Sequence, residues 1–198
     1  MLKRIKILTK MLISIITVNH EELIYTLDMH DVLPEGLWGD FYEDYVKSMT
    51  IERSKYPHDQ LNYTRKEFND ACKDPDILKM VFRINGEPAG FALMTKPGAI
   101  HKAPWVSPPF YCKTGKEVMY LTILIMLKEH RSFGHVIVFF DRIIHDVTRT
   151  YPGVVYGYDI PTGGKEWLYR IILRRIQKDK TLIVREAGSQ KYFLVEWR

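Results

Sequence analysis

The sequence predicts a single α/β domain built on one mixed sheet, and three observations carry that prediction. Asn85-Gly86 separates the runs Ile77–Ile84 and Glu87–Thr95, and this residue pair favours a two-residue hairpin turn between strands. Val118–Leu127 is almost wholly apolar, as in a central strand that is buried on both faces. Helical and extended patterns alternate along the chain, and no repeat or low-complexity tract divides them.

The composition is that of an ordinary globular protein. The 198 residues are 46% hydrophobic and 27% charged, which is enough to bury one substantial core. The net charge is +5, but four unopposed positive charges lie in the first ten residues, so nucleic-acid binding is disfavoured. Two cysteines without metal-ligand spacing favour reduced thiols and a cytoplasmic location. We therefore expect a basic extension, residues 1–10, and one domain, residues 11–198.

The first half of the chain predicts a strand followed by helices. Met11–Val18 is far shorter than the roughly 20 apolar residues of a membrane span, and no small-residue cleavage site follows it. We interpret it as the first strand. His20–Lys55 has a helical pattern with a break at Leu33–Gly36.

A second, shorter helix is predicted before the hairpin. Thr64 is followed three residues later by Glu67, the spacing of a capping box at the start of a helix, here Thr64–Cys72. After the hairpin comes a proline-rich connection, Lys96–Lys116, which is long for a compact domain and indicates a functional surface.

The stretch "KEHRSFGHVIVFFDRIIHD" after the central strand fits either a hairpin or a strand-to-helix turn. The letters "HVIVFF" have strand propensity. However, Gly134–Arg149 contains no turn signal, and it is much longer than the usual strand of about 5–6 residues. Apolar residues also form one helical stripe: Val136, Phe140, Ile143 and Val147. The sequence therefore predicts a helix here.

The rest of the chain predicts a strand, a helix and a closing hairpin. Pro152–Pro161 contains the strand and Lys165–Gln177 the helix. Thr181–Arg185 and Lys191–Trp197 then pair around a turn at residues 187–189.

A buried strand that enters a helix through "HRSFGH" creates a site for an anion. The first turn of a helix has unpaired N–H groups and a positive potential, both of which favour a phosphate. Gly134 lets the main chain approach a ligand closely, and Arg131 adds a positive charge.

This stretch resembles the acetyl-CoA-binding signature of the GCN5-related N-acetyltransferases, Arg/Gln-x-x-Gly-x-Gly/Ala. Arg131 and Gly134 match it, whereas Val136 stands where the family has Gly or Ala. "FRINGEPAGFALM" is similar to the family's hairpin, and "EWLYRI" (Glu166–Ile171) is similar to a segment of its later helix. The resemblance extends from about Met11 to Trp197. It implies about seven mostly antiparallel strands with a central splayed parallel pair, and about four helices.

The resemblance also implies a reaction, in which a primary amine of a small molecule or protein directly attacks the thioester of acetyl-CoA. In this family Tyr169 would match the general acid, and Glu117 and Asp159 are candidates for the base. The implied cofactor-binding residues are the turn and the strand end before it: Met126, Leu127, Lys128, Arg131, Ser132, Phe133, Gly134, His135 and Val136. The implied partners are acetyl-CoA and the amine acceptor, without a membrane; a homodimer is left open.

Two further interpretations concern the acceptor and an alternative function. Aromatic residues of the early helices and the long loop would line a pocket for the acceptor, and the acidic residues Glu35, Asp40, Glu43 and Asp44 would attract a cationic amine. Alternatively, the aromatic residues belong to the core and the acidic residues to a solvated helix face. The alternative function is a catalytically silent relative that binds CoA, a partner protein or nucleic acid, and Val136 favours it. No metal-binding motif is present, so no metal is expected.

Overall fold

A computed structural model describes residues 23–33, 35–55, 63–103, 115–158, 174, 182–186 and 193–197. The strands are β1 (Tyr25–His30), β2 (Ile77–Ile84), β3 (Glu87–Thr95), β4 (Val118–Met126), β5 (Val155–Tyr158), β6 (Leu182–Glu186) and β7 (Phe193–Trp197). They form one sheet in the order β1-β2-β3-β4-β5-β7-β6. The helices are α1 (Trp38–Lys55), α2 (Arg65–Lys73) and α3 (Phe133–Arg142), which continues through a π-helical turn, Ile143–Val147, to Thr148–Thr150. The described residues also include 3-10 turns at Glu35–Leu37, Ile100–Lys102 and Lys128–His130.

The predicted hairpin is confirmed with the same strand limits. Asn85 and Gly86 both have positive φ, 51° and 87°, as the favoured two-residue hairpin turn requires. The main chain of Asn85 donates to the Ile24 carbonyl at 2.8 Å, and its side chain accepts from the Ile24 N–H at 2.9 Å. The turn therefore also holds the start of β1 against the sheet.

The helix prediction for His20–Lys55 is wrong in its first part. Tyr25–His30 is an extended strand that pairs antiparallel with β2, and Tyr25 stacks on Phe82 with ring centroids 5.7 Å apart. Pairing with a strand some fifty residues later overrides the local pattern, which periodicity cannot reveal. The second part is confirmed by α1, and a 3-10 turn occupies the predicted break. The proposed strand Met11–Val18 lies outside the described residues.

Other helix predictions are confirmed where the structure describes them. Thr64 caps α2 in a complete capping box with Glu67. The stretch after β4 is helical from Phe133, as the spacing of its apolar residues predicts. In the later helix Arg174 is helical, and the remainder of Lys165–Gln177 lies outside the described residues. The closing strands β6 and β7 pair antiparallel, and the turn between them is not described.

The sheet carries a hydrophobic core on each face. On one face, α3 packs Phe139, Phe140 and Ile143 against the sheet. On the other, α1 and α2 pack Phe41, Tyr45, Phe68 and Cys72. Residues of β4 contribute to both cores, which confirms that this central strand is buried on both faces.

Lys79 is wholly buried beside the core of α1 and α2. Its Nζ donates to the carbonyl of Asp31 at 2.6 Å and to the carbonyl of Asp74, so its polar head is satisfied by main chain. Burial lowers the pKa of Lys79 to about 8 and raises the pKa of the nearby Cys72 thiol to about 12.

We expect the Cys72→Ala variant to gain stability with rising pH more steeply than the wild type. Above about pH 8 the unfolded Lys79 still binds a proton that the native state has lost, so the free energy of unfolding rises with pH. Cys72 acts in the opposite direction, because the unfolded thiol ionises near 9.0 while the native thiol keeps its proton. Urea unfolding at about pH 8 and about pH 9.5 measures the difference. Equal slopes in both proteins would contradict this compensation.

Candidate functional site

The central parallel pair of strands is described over three residue pairs. Val118, Met119 and Tyr120 of β4 pair with Val155, Tyr156 and Gly157 of β5. Beyond Tyr120, β4 continues to Met126 and pairs with β3. Among the residues that the structure describes, the second half of β4 has no neighbouring strand on its other edge, and we call the space beside this open edge the gap. The predicted central parallel pair is confirmed.

A bulge in β4 lies just beyond the last described pair with β5. Leu93 of β3 pairs with Ile123 and Met94 with Leu121, so Thr122 is an extra residue in the strand. The alternation of side chains changes there: Met119 and Leu121 belong to the core under α3, as do Leu124 and Met126 after the bulge. Ile123, Ile125 and Leu127 pack on the opposite face with α1 and α2.

The main chain beside the gap comes from Leu124 and Met126. The Leu127 N–H donates to the Ala89 carbonyl at 2.9 Å, so the main chain of Leu127 points toward β3. Because hydrogen-bonding direction alternates along a strand, Leu124 and Met126 direct their main-chain groups away from β3 and into the gap. This edge offers hydrogen bonds to an extended ligand.

The predicted anion-binding turn follows directly from that edge. Ser132 is the N-cap of α3; its hydroxyl accepts from the His135 N–H at 3.2 Å, and its carbonyl accepts from the Val136 N–H at 3.1 Å. The Gly134 N–H has no partner among the described residues, and a Cβ added at Gly134 would meet nothing within 4 Å. The start of the helix therefore has an unpaired donor at a residue that also has room for a side chain.

Val136 is turned toward the protein. Its side chain is half-buried and packs against the core beneath α3. The valine that departs from the family signature therefore contributes to the attachment of the helix. Phe133, by contrast, is exposed at the first position of the helix.

The guanidinium of Arg131 is directed inward. Its Nε donates to the Met126 carbonyl at 2.9 Å, and its Nη2 lies 3.4 Å from Oδ2 of Asp44 on α1. The same Asp44 carboxylate accepts from the Lys128 N–H at 2.7 Å. The turn is thus fastened to α1, and three main-chain groups at the end of β4, the Met126 carbonyl and the Leu127 and Lys128 N–H groups, are bound within the protein.

Of the three predicted catalytic residues, the structure describes Glu117 alone. Glu117 precedes β4, at the end of the strand opposite the turn, and its carboxylate accepts from the Gly98 N–H at 2.7 Å. Tyr169 and Asp159 lie outside the described residues. The structure therefore brings together the predicted cofactor-binding residues from Met126 to Val136 and does not bring Glu117 to them.

Two tyrosines lie near the bulge: Tyr45, one of the early-helix aromatic residues interpreted above as acceptor-site or core residues, and Tyr63, which was not predicted as a site residue. The Tyr63 hydroxyl bonds to Thr122, and the Tyr63 N–H donates to the Tyr45 hydroxyl at 2.8 Å. Burial raises the pKa of Tyr63 and raises the pKa of Tyr45 to about 12, so both hydroxyls keep their protons at neutral pH. No sequence signal marks this contact, because it depends on the bulge.

Two of the acidic residues of α1 that were proposed to attract a cationic amine are already paired with arginines. Asp44 is buried against Arg131, and Glu43 pairs with Arg65. Phe41 and Tyr45 are core residues, and Phe41 stacks on Phe91 at 4.8 Å. Among the described residues there is no cluster that would hold a metal ion, and no helix long and apolar enough to cross a membrane.

Comparison with solved structures identifies the fold. Aminoglycoside acetyltransferase AAC(6')-Ib in complex with coenzyme A and kanamycin is 11% identical with a TM-score of 0.56, over 87% of this chain and 95% of that one. FeeM, an N-acyl amino acid synthase from uncultured soil microbes, is 11% identical with a TM-score of 0.52, over 88% and 91%. An acyl-CoA N-acyltransferase from Pseudomonas aeruginosa is 10% identical with a TM-score of 0.50, over 88% and 98%.

Comparisons of the sequence give no such relative: no family model matches the chain, and no curated protein does. At identities near 10% the structural likeness shows the fold alone. The chain has the mixed α/β fold of the GCN5-related N-acetyltransferases.

Proposed function

We propose that this chain transfers an acetyl group from acetyl-CoA to a primary amine of a small molecule or protein. The observation that carries the proposal is the open edge of β4, which leads from a bulge to a helix start with an unpaired N–H at Gly134. An extended arm that ends in a pyrophosphate matches this arrangement. Neighbours in the same fold bind coenzyme A and an aminoglycoside, which supports the choice of cosubstrate and of an amine acceptor.

The cosubstrate would lie along the main chain of β4 and the turn. The Gly134 N–H would face the pyrophosphate, and the Ser132 cap, which binds the His135 and Val136 N–H groups, would hold the helix start in place. The pantetheine arm would pair with the main chain of Leu124 and the N–H of Met126 in the gap, because the Met126 carbonyl and the Leu127 and Lys128 N–H groups are already bound. The thioester would then point toward the bulge at Thr122.

The chemistry is a direct acyl transfer. The amine nitrogen attacks the thioester carbonyl carbon, the carbon–sulfur bond breaks, and the amine gives up a proton as CoA thiolate leaves. We propose Tyr169 as the acid that protonates the thiolate, and Asp159 or Glu117 as the base. Of these two, Glu117 has a competing structural role, since it binds the Gly98 N–H.

Acetyl-CoA should raise the melting temperature of the protein. A ligand at 100 times its Kd stabilises the native state by about 2.7 kcal/mol if it does not bind the unfolded chain. Thermal unfolding with and without acetyl-CoA measures the shift, with adenosine as the control that lacks the pyrophosphate and arm. No shift at a saturating concentration would reject the proposal.

A thiol-release assay with a panel of amines, including an aminoglycoside and short peptides, then tests the transfer itself. Release that depends on an amine supports the enzyme, whereas binding without release on any amine supports the catalytically silent alternative. Tyr169→Phe tests the acid: a variant as active as the wild type would remove the Tyr169 hydroxyl from the mechanism.

A further inference from the structure

We propose that Asp44 is a positioning residue for cosubstrate binding, acting through the turn between β4 and α3; this inference rests on the proposed function. Asp44 lies on α1, far from the turn in sequence, yet its carboxylate holds two points of that turn. It accepts from the Lys128 N–H at 2.7 Å and contacts Nη2 of Arg131 at 3.4 Å. The Asp44 carbonyl also accepts from the same nitrogen at 3.4 Å.

Burial of Asp44 makes the loss of this contact more costly than the loss of a surface ion pair. Asp44 is 8% exposed, whereas most exposed ion pairs contribute little. Breaking a buried pair by removal of one partner is costly, because the other charge is left without compensation. Arg131 in turn holds the Met126 carbonyl at 2.9 Å. A chain of contacts therefore runs from α1 through Arg131 to the end of the open edge of β4.

This chain of contacts holds the two parts of the protein that a CoA molecule would meet, the Gly134 N–H and the Met126 end of β4. Lys128 starts the 3-10 turn Lys128–His130, and Ser132 caps α3 directly after it. A shift of Lys128 or Arg131 would move the Gly134 N–H relative to the Met126 end of the strand. The pyrophosphate and the arm would then no longer be bound in one geometry, and positioned donors lose much of their value when they move.

A negative charge beside a phosphate site disfavours the binding of an anion. The direction of the change in the Kd for CoA therefore tests the proposal. If Asp44 acted only through its charge, its removal would free the Arg131 guanidinium and tighten the binding of an anion. If Asp44 positions the turn, its removal weakens binding even though the site becomes more positive. The two roles predict opposite changes in the Kd for CoA.

The experiment compares CoA binding by calorimetry in the wild type and in two variants. Asp44→Asn keeps an acceptor for the Lys128 N–H but loses the charge, and Asp44→Ala loses both. Glu43→Gln is the matched control, since Glu43 is the preceding residue of α1 and its exposed carboxylate pairs with Arg65. We expect the Kd for CoA to rise about tenfold in Asp44→Asn and further in Asp44→Ala, and to stay unchanged in Glu43→Gln.

Three readouts separate positioning from a general loss of stability. The KM for acetyl-CoA should rise while kcat and the KM for the amine stay near wild type. Amide hydrogen exchange without any ligand should increase at residues 127–136 in both Asp44 variants, at a temperature where each remains folded. Arg131→Gln and Asp44→Asn should be non-additive in the Kd, because they break the same chain of contacts.

The outcomes are distinct. A wild type that binds no CoA rejects the proposed function and this inference together. A wild type that binds CoA, with Asp44→Asn binding equally or more tightly, overturns the role of Asp44 and leaves the proposed function standing. Unchanged hydrogen exchange at the turn in both variants would also overturn it, independently of any ligand.

Discussion

The Gly134→Val variant is expected to bind CoA about 100-fold more weakly than the wild type, a loss of about 2.8 kcal/mol, while its melting temperature stays the same. A Cβ at Gly134 meets no atom within 4 Å, so the protein has room for the new side chain. The N–H of the same residue is the donor that we assign to the pyrophosphate. A valine there would exclude the phosphate from the donor without disturbing the fold.

Calorimetric titration with CoA and thermal unfolding of the unliganded variant give the two values. Gly134→Ala is the graded control, because it adds a single carbon and improves the helix propensity. Its binding should lie between those of the wild type and the valine variant. Wild-type affinity in Gly134→Val would exclude this turn as the phosphate site, and a large fall in melting temperature would show that Gly134 serves the fold.

In contrast to Gly134→Val, Gly90→Ala is expected to destabilise the fold, with a loss of about 1–3 kcal/mol in the free energy of unfolding. A Cβ at Gly90 would lie 2.9 Å from Sδ of Met126, 2.9 Å from Cε1 of Phe139 and 3.0 Å from the carbonyl oxygen of Ile125. The methionine and the ring are side chains that can shift. The carbonyl belongs to β4, so relief requires movement of the central strand itself.

Urea unfolding measures this loss, and Gly39→Ala is a suitable control. Gly39 lies in α1, where an added Cβ meets nothing within 4 Å, so alanine there should be neutral or stabilising by about 0.5–1 kcal/mol. A Gly90→Ala variant as stable as the wild type would show that β3 and β4 separate easily. It would contradict the close packing of this strand pair.

The parts of the fold that sequence predicts well are those that local chemistry determines. Asn85-Gly86 determines its own hairpin, and Thr64 with Glu67 determines the start of α2. The helix after β4 was predictable because its length and apolar spacing outweigh strand propensity. β1 was missed because its extended form depends on pairing with β2, and no residue within Tyr25–His30 signals that partner.

In the candidate site, too, sequence predicts the contiguous residues and misses the contacts between distant ones. The turn from Arg131 to Val136 is contiguous, so a short motif is sufficient to propose it. The contact between Asp44 and Lys128 joins residues 84 positions apart, and the one between Tyr63 and Thr122 depends on a bulge. In the sequence Asp44 looks like one more acid on a solvated helix face, and only packing reveals that it is buried.

The bulge at Thr122 has a consequence for how this chain is compared with others. A single extra residue exchanges the two faces of β4. Met119 and Leu121 before the bulge therefore share a face with Leu124 and Met126 after it, whereas Ile123 and Ile125 lie on the other face. Any gapless alignment with a protein whose strand lacks the insertion will be off by one position from Thr122 onward. It would then assign lining residues to the wrong side of the sheet. Structure-based superposition, anchored separately before and after Thr122, is the appropriate way to transfer residue roles to or from this strand.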